Sequence, residues 1–214
     1  MGKDSGTTAI VAVVKGNHLY VANVGDSRCV LCRAGKAVEL STDHKPEDTE
    51  EFNRIEKAGA KVTENGRVNG GLNLSRALGD HVYKQNKELT PEEQAITADP
   101  ELREIELNKD DEFMVLACDG IWNVMTSEEV VKYVKEKLDA DEKIALSKIC
   151  EELFDLCLAP DTKNDGTGCD NMTCMIVKLK MSDLIKDDDS AEKRTIESSL
   201  ENCGSKKKMK MSED

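Results

Sequence analysis

The chain has 214 residues, which suits one domain, or a domain with a tail, but not two full domains. Its 43 acidic side chains outnumber its 30 lysine and arginine side chains, giving a formal net charge of -13. This charge argues against a general binder of polyanions, so we expect no direct contact with nucleic acid. We find no apolar run long enough to span a membrane and no secretory leader, and we therefore expect no membrane contact and a cytosolic or nuclear address.

The first forty residues alternate between apolar runs and turn residues, which predicts β-structure. The predicted strands cover residues 9–14, 19–24, 27–33 and 36–40. Short turns separate them, so we predict an antiparallel meander. Cys29 and Cys32 are three positions apart in one of these strands and should point to opposite faces, which disfavours a zinc pair. We expect the chain's eight cysteines to be free thiols.

Pro46 stands at a favourable first helical position, acidic residues follow it, and Gly59 marks a stop, which together predict a helix over residues 46–58. Residues 60–100 lose periodicity, apart from a short predicted helix at 91–94. A long irregular segment inside a compact domain is usually functional.

Regular helix and strand patterns reappear in the second half of the chain. The predicted elements are a strand at 112–118, a helix that begins after a Thr126–Glu129 capping box and reaches 138, a helix at 142–158 and a strand at 172–179. Residues 180–214 carry mixed charges and no aromatic side chain, which predicts a disordered tail. Its lysine cluster at 206–210 is either solubilising or a nuclear-import or anion-binding patch.

Three aspartates, Asp26, Asp119 and Asp170, stand at the ends of predicted strands beside small or polar residues. Carboxylate oxygens are preferred ligands of Mg²⁺ and Mn²⁺, and such a site suits phosphate chemistry. The alternative is that each Asp beside a Gly or Asn simply makes a turn. The residue types and positions alone therefore indicate only a candidate site for a hard cation.

Five segments resemble, in the family's order, the motifs of protein phosphatase 2C, a family of metal-dependent serine/threonine phosphatases. They are VANVGDSR at 21–28, DHKP at 43–46, RVNGGLNLSRALGD at 67–80, VLACDGIWNVM at 115–125 and DNM at 170–172. The resemblance covers nearly all of residues 5–179. The stretch CLAPDTKNDGTGCDNMTC at 157–174 most resembles the nuclear gamma type of the family, of which this chain would be the carboxy-terminal portion. It implies an α+β fold, an α-β-β-α sandwich of two antiparallel sheets flanked by helices.

The resemblance also implies a pair of Mn²⁺ or Mg²⁺ ions at one end of the sandwich, with Asp119 and Asp170 each binding a metal. Asp26 and Asn123 would lie in the outer coordination sphere or at a third metal, where Asn123 replaces an Asp that many members carry. In the complete family site a hydroxide bridging the metals attacks the phosphorus of phosphoserine or phosphothreonine in proteins.

The segment from about 43 to 100 would form a flap beside the cleft, where Arg67, Asn69 and Arg76 are candidates for selecting the substrate. The resemblance further implies phosphoprotein substrates and favours the nuclear address, and we expect a monomer.

The chain departs from the family pattern, because the Asp-Gly-His-Gly-Gly motif does not occur in it. That motif supplies a metal-bridging Asp and a proposed general-acid His. Its absence implies that the amino-terminal half of the family domain is missing. We assign no catalytic residue, since His18, His44 and His81 lie outside the motif and are expected to be structural or surface residues.

Two hypotheses follow for the function of residues 5–179. The first is metal-dependent hydrolysis of phosphoserine and phosphothreonine, with this chain supplying only part of the active site and inactive by itself. The alternative is a non-catalytic protein-interaction module that keeps a phosphatase-like fold.

Overall fold

A computed structural model of the chain describes residues 5–163 and 165–180. The predicted tail, with its lysine cluster at 206–210, lies outside the described residues except for Lys180. Within the described residues, no helix has the length and apolarity that crossing a membrane requires.

Nine strands are present in the described part of the chain. They are β1 (Gly6–Thr7), β2 (Ala9–Lys15), β3 (His18–Val24), β4 (Arg28–Arg33), β5 (Lys36–Glu39), β6 (Leu78–Gly79), β7 (Glu101–Glu106), β8 (Asp111–Ala117) and β9 (Cys174–Lys178). The α-helices are α1 (Thr49–Lys57), α2 (Asp119–Trp122), α3 (Ser127–Ala140) and α4 (Leu146–Cys157). Short 3₁₀ helices lie at His81–Tyr83 and Pro91–Glu93.

The longer strands form two sheets, ordered β2-β3-β7 and β5-β4-β8-β9, and β1 pairs with β6. Every pairing between these strands is antiparallel. The two sheets pack face to face, and helices α3 and α4 cover the outer face of the four-stranded sheet. The α+β fold with antiparallel sheets is therefore confirmed. Within the described residues, helices pack on only one side of the sandwich, and the outer face of the three-stranded sheet is exposed.

Strand β4 lies in the centre of the molecule and is buried on both faces. Cys29 and Leu31 face the three-stranded sheet, whereas Val30 and Cys32 face the helices. The opposite orientation of the two cysteines is as the sequence predicted, and both are free thiols. Seven of the eight cysteines lie among the described residues, and all seven are free.

The predicted single meander is wrong, because the chain changes sheets between β3 and β4. Strands β2 and β3 pair in one sheet, and β4 and β5 pair in the other. Gly25 makes this change of direction possible, since its φ of 107° is in the region that only glycine adopts freely. The pattern of apolar runs identified the strands but not the sheet to which each belongs.

Two helices begin later than predicted. Helix α1 starts at Thr49 because residues 45–48 form a turn, in which Asp48 N–H donates to Lys45 O at 3.1 Å. Helix α4 starts at Leu146, after a turn between Asp141 and Ile144. The capping box that opens α3 is confirmed, with Thr126 and Glu129 exchanging side-chain and backbone hydrogen bonds.

Candidate metal centre

The three aspartates singled out from the sequence lie at one end of the four-stranded sheet. Asp26 precedes β4, Asp119 follows β8, and Asp170 precedes β9. Because these neighbouring strands are antiparallel, the start of β4, the end of β8 and the start of β9 meet at the same edge: Ala117 pairs with both Arg28 and Cys174. The topology thus brings the three carboxylates together.

The carboxylates are close enough for their charges to interact. Burial raises the pKa of Asp119, and the negative charges of Asp26 and Asp170 raise it further, whereas the charge of Lys45 and the Gly120 N–H oppose this shift. The edge therefore concentrates negative charge that is only partly neutralised by protein groups. Such a site favours a bound cation, and carboxylate oxygens suit a hard divalent one.

The ligand set is incomplete in this part of the chain. Among residues 5–163 and 165–180, no group of three His, Cys, Asp or Glu side chains is arranged to hold a metal ion. Asp26 instead forms an ion pair with Lys45, whose Nζ lies 2.6 Å from Asp26 Oδ2. The donors that are present match a hard cation in charge and chemistry, but they require further ligands to enclose one.

Helix α2 is a single turn that positions Asp119. It was not predicted, because four residues are too few to show helical periodicity. Asn123 caps its carboxyl end and donates from Nδ2 to Asp119 Oδ2 at 3.4 Å. The structure thus places Asn123 beside the metal-ligand candidate, and its part in a third metal site stays a prediction.

A close backbone approach joins the segments that carry Asp119 and Asp170. Gly120 packs against the carbonyl oxygen of Asn171, and a Cβ at position 120 would collide with that oxygen. Only glycine therefore allows this approach. Trp122 anchors the same turn by donating from Nε1 to Ala117 O at 2.7 Å.

Residues 43–45 bind residues 25–28 through side-chain contacts of Asp43, His44 and Lys45, and we call this set of contacts the clasp. Arg28 forms two hydrogen bonds to the Asp43 carboxylate, at 3.0 and 2.9 Å, and His44 Nδ1 accepts from Gly25 N at 3.1 Å. Lys45 completes the clasp through Asp26. Sequence reasoning missed Lys45 and this clasp, although the two motifs offered one signal: acidic and basic residues that complement each other between GDSR and DHKP.

The flap candidates have different environments. Arg76 is largely buried and donates from Nη2 to Glu51 Oε1 at 2.8 Å. It lines a pocket of about 400 Å³ together with acidic and polar side chains of residues 42–51 and Glu101, and the three aspartates do not line that pocket.

The other two flap candidates stabilise the loop that carries them. Arg67 donates from Nη1 to Gly71 O at 2.6 Å, and Asn69 Oδ1 accepts from Lys61 N at 2.9 Å. The described contacts do not bring Arg67 or Asn69 to the aspartates, so their role in substrate selection stays a prediction.

His18 and His81 have no contact with the carboxylate edge among the described hydrogen bonds and ion pairs, and His44 reaches it through the backbone of Gly25, next to Asp26. His44 is buried, and burial lowers its pKa. His18 Nδ1 lies 2.9 Å from Glu104 Oε1 on the outer face of the three-stranded sheet. His81 is exposed at the start of a 3₁₀ helix. His44 thus has a structural position, whereas His18 and His81 lie at the surface.

The sequence of most of this chain matches a known protein family. Residues 2–166 match the family model described as protein phosphatase 2C. The match covers most of the chain, and the chain belongs to the protein phosphatase 2C family.

The chain is similar to curated phosphatases from several animals. It is 55% identical over 223 residues to human protein phosphatase 1G, an alignment that covers 100% of this chain and 41% of that protein. It is 64% identical over 179 residues to the probable protein phosphatase CG10417 of Drosophila melanogaster, covering 84% of this chain and 27% of the relative. The chain thus spans less than half the length of these relatives.

Solved structures show the same fold. A phosphatase from Toxoplasma gondii superposes with a TM-score of 0.67 at 34% identity, covering 77% of this chain and 49% of that one. A second structure, a sex-determining protein of C. elegans, gives a TM-score of 0.65 at 26% identity, covering 86% of this chain and 43% of that one.

Proposed function

We propose that this chain is part of a protein serine/threonine phosphatase that hydrolyses phosphoserine and phosphothreonine in protein substrates with the help of Mn²⁺ or Mg²⁺. The observation that carries the proposal is the convergence of Asp26, Asp119 and Asp170 at one sheet edge, in a chain of the phosphatase 2C family. Because the chain spans only part of its relatives, the activity belongs to the longer protein.

Asp119 and Asp170 are the residues that would hold the metal. When bound, a divalent ion supplies an activated water and neutralises charge on the phosphoryl oxygens. The protein's own contribution is to hold the two carboxylates at a common edge, which the β8–β9 pairing and the Gly120–Asn171 contact achieve. Lys45 holds Asp26 in place beside them.

The clasp between residues 25–28 and 43–45 has a second consequence. It joins the carboxylate edge to the segment that leads into helix α1 and the flap. We propose that the flap, including Arg67 and Asn69, contacts the substrate, and that Arg76 supports the flap through Glu51.

The proposal is tested by Asp119→Asn and Asp170→Asn in the full-length protein. Each variant should lose more than about 100-fold in Mn²⁺-dependent phosphopeptide hydrolysis, because even the outer partners of metal ligands are worth 10 to 100-fold. Each should keep its far-ultraviolet circular dichroism, since the edge is open to solvent. Asp110→Asn, at an exposed turn before β8, is the matched control and should keep full activity.

Retained turnover at saturating Mn²⁺ would remove the substituted residue from the ligand set. If both variants and the unaltered full-length protein were equally inactive, the non-catalytic interaction module would replace the phosphatase as the proposed function.

We also propose a nuclear address and a monomeric state without direct nucleic-acid contact. The support is the similarity to the gamma type, the lysine cluster at 206–210 and the net charge of -13. A fluorescent fusion with and without residues 206–210 tests the address, and light scattering of the purified protein tests the assembly state. Exclusion of the fusion from the nucleus, or a dimer at micromolar concentration, would contradict these proposals.

A further inference from the structure

The guanidinium group of Arg28 contacts three other segments beside the carboxylate edge. Arg28 is the first residue of β4 and the last residue of the GDSR motif, and no role was assigned to it from the sequence. Its side chain contacts Asp43 of the clasp, Trp122 of helix α2 and Ser127, the first residue of α3. The clasp and the turn that carries Asp119 are therefore joined by one side chain.

The Asp43 carboxylate fixes the plane of this guanidinium group. Arg28 Nε donates to Asp43 Oδ1 at 3.0 Å, and Nη2 donates to Oδ2 at 2.9 Å, so the pair is bidentate. The two side chains are largely buried, which limits screening of the pair by salt. Two parallel bonds set the orientation of the group as well as its position, which the single ammonium of a lysine cannot do.

The same guanidinium group lies over the indole ring of Trp122. Its central carbon is 5.2 Å from the centre of the ring, where a cation is attracted by the ring electrons. Both residues are also bound to Ala117: Arg28 pairs with it between β4 and β8, and Trp122 Nε1 donates to its carbonyl oxygen at 2.7 Å. Arg28 thus covers a ring that otherwise packs in the apolar core.

Trp122 and Asp119 stand at the two ends of one helical turn. Helix α2 runs from Asp119 to Trp122, and Asn123 N donates to Asp119 O at 2.8 Å. Ile121 and Trp122 are buried, so packing in the core holds this turn in place. A shift of the Trp122 ring would therefore move the backbone that carries the Asp119 carboxylate.

A second arginine of β4 forms an equivalent pair without these further contacts. Arg33, at the other end of the strand, donates to both oxygens of Asp111, at 2.7 and 3.0 Å. Among the described residues no aromatic ring lies against the Arg33 guanidinium, and the pair is at the end of β4 remote from the three aspartates. The contact with Trp122 therefore distinguishes Arg28 from an arginine that only stabilises the sheet.

We propose that Arg28 is a positioning residue for Asp119, through which the position of the clasp acts on the metal-ligand turn. Asp43 orients the guanidinium group, this group holds Trp122, and Trp122 fixes the turn that begins at Asp119. Asp119 acts as a metal ligand under the proposed function, on which this inference rests. Because the clasp leads into α1 and the flap, a movement of the flap that displaces Asp43 would change how the edge binds a cation.

The first test is the fluorescence of Trp122, the one tryptophan of the chain. Arg28→Lys removes the planar group from the ring, so the emission should shift to longer wavelength as water reaches the indole. Asp43→Asn should give the same shift, although Asp43 shares no hydrogen bond with Trp122 among the described residues. The double variant should shift no further than either single variant, because both changes act through one contact.

Arg33→Lys is the matched control, because it breaks the equivalent pair at the other end of β4. It should lower the unfolding temperature and leave the emission of Trp122 unchanged. Circular dichroism shows whether each variant is folded, and the emission of Asp43→Asn decides if Arg28→Lys is not. An Asp43→Asn emission identical to that of the unaltered chain would overturn the proposal.

The second test is Mn²⁺ binding to the full-length protein, measured by calorimetry. Arg28→Lys and Asp43→Asn should each weaken the affinity by about fivefold, within the range that packed side chains transmit between sites, whereas Arg33→Lys should not change it. Unchanged Mn²⁺ affinity in Arg28→Lys would also overturn the proposal. Failure of the proposed function gives a different result: Asp119→Asn would bind Mn²⁺ as tightly as the unaltered protein, which removes the role of Arg28 at the metal even if the shifts in Trp122 emission are seen.

Discussion

At the carboxylate edge, Lys45 supplies part of the positive charge that a cation would supply. Asp26 is only 4% exposed, so leaving its carboxylate unpaired would be costly, and Lys45 lies within 2.6 Å of it. The same lysine also acts on Asp119, because its charge opposes the rise in the pKa of that residue. Lys45 therefore stabilises the cluster in the absence of metal and competes with a cation for Asp26.

Lys45→Met tests this competition. In metal-free buffer at neutral pH the variant should lose about 3 kcal/mol of unfolding free energy, because a buried carboxylate loses its partner. Added Mn²⁺ should restore more stability to the variant than to the unaltered chain, since a cation can then approach Asp26. Lys36→Met, an exposed lysine at the start of β5, is the control and should show neither effect. An equal response to Mn²⁺ in the two proteins would disprove the competition.

Asn123→Asp tests the predicted third metal site. Asn123 donates to Asp119, and an aspartate there would replace this bond by repulsion worth about 1 kcal/mol in water. We expect a slightly less stable metal-free chain and tighter binding of a divalent ion, both measured by calorimetry. Asn65→Asp, in an exposed turn of the flap, adds the same charge elsewhere. Unchanged affinity and stoichiometry in Asn123→Asp would remove this position from the site.

At the scale of helices and strands, Glu51 is one of the residues that join helix α1 to the irregular segment after it. Its carboxylate is buried and receives hydrogen bonds from Arg54 on the same helix and from Ser75 and Arg76 on the segment. Burial alone would raise the pKa of Glu51, but the bonds from Arg76 and Ser75 and the charge of Arg54 outweigh it and hold the pKa at about 2. The segment is thus irregular in backbone and yet held to α1 by the ionised Glu51, together with Arg54, which donates to Ser75 O and Gln94 O.

This shift predicts an acid sensitivity of known sign. The pKa of Glu51 is lower in the folded state than the ordinary value of 4.5, so the unfolded chain binds more protons between pH 4.5 and about 2. The stability contributed by Glu51 is present above that window, and about 3 kcal/mol is lost as the pH falls through it. Urea unfolding across this range should show the loss in the unaltered chain and not in Glu51→Gln.

Glu50→Gln provides the matched control for this measurement. Glu50 precedes Glu51 on the same helix but is exposed, so its variant should keep the pH dependence of the unaltered chain. The same slope in Glu51→Gln would mean that other carboxylates cause the acid sensitivity.

Most strands and helices were accessible from sequence because their burial follows a regular period. Strands β2, β3 and β5 and helix α3 appeared within about two residues of their predicted bounds, since apolar spacing and a capping box define them locally. Strand β7 was missed, because its sequence ELREIE is mostly exposed and charged and its place depends on pairing with β3. Pairing of distant segments leaves no local pattern.

In the candidate site, too, features with a local sequence pattern were predicted, and features that depend on contacts between distant segments were not. The positions of Asp26, Asp119 and Asp170 were predicted because strand ends and adjacent small residues are visible in the sequence. Lys45 was not, because its contact with Asp26 depends on the loop that follows β5 returning to the end of β3. Charges that meet through tertiary folding require the structure.

On the scale of the whole molecule, the two faces of the sandwich differ. Helices cover the four-stranded sheet, whereas the outer face of the three-stranded sheet exposes Val11, Val13, Tyr20 and Leu102, which is 74% exposed. These side chains line an apolar depression of about 360 Å³. An exposed apolar surface of this kind lowers solubility and contributes nothing to stability, so we expect the isolated chain to be only marginally stable.

The carboxylate edge sets a corresponding limit on what the isolated chain can bind. Asp119 and Asp170, with Asp26 already paired to Lys45, offer too few oxygen ligands to hold two divalent ions close together against their mutual repulsion. We therefore expect calorimetric titration of the 214-residue chain with Mn²⁺ to show weak binding of at most one ion.

In parallel, a phosphopeptide assay should show no turnover, because the chain lacks the Asp-Gly-His-Gly-Gly segment that the family resemblance associates with a bridging ligand and a proton donor. The Asp119→Asn chain serves as the control, and its heat of binding should be abolished. Two tightly bound ions together with turnover would show instead that these described residues form a sufficient catalytic centre, and that the rest of the longer relatives serves another purpose.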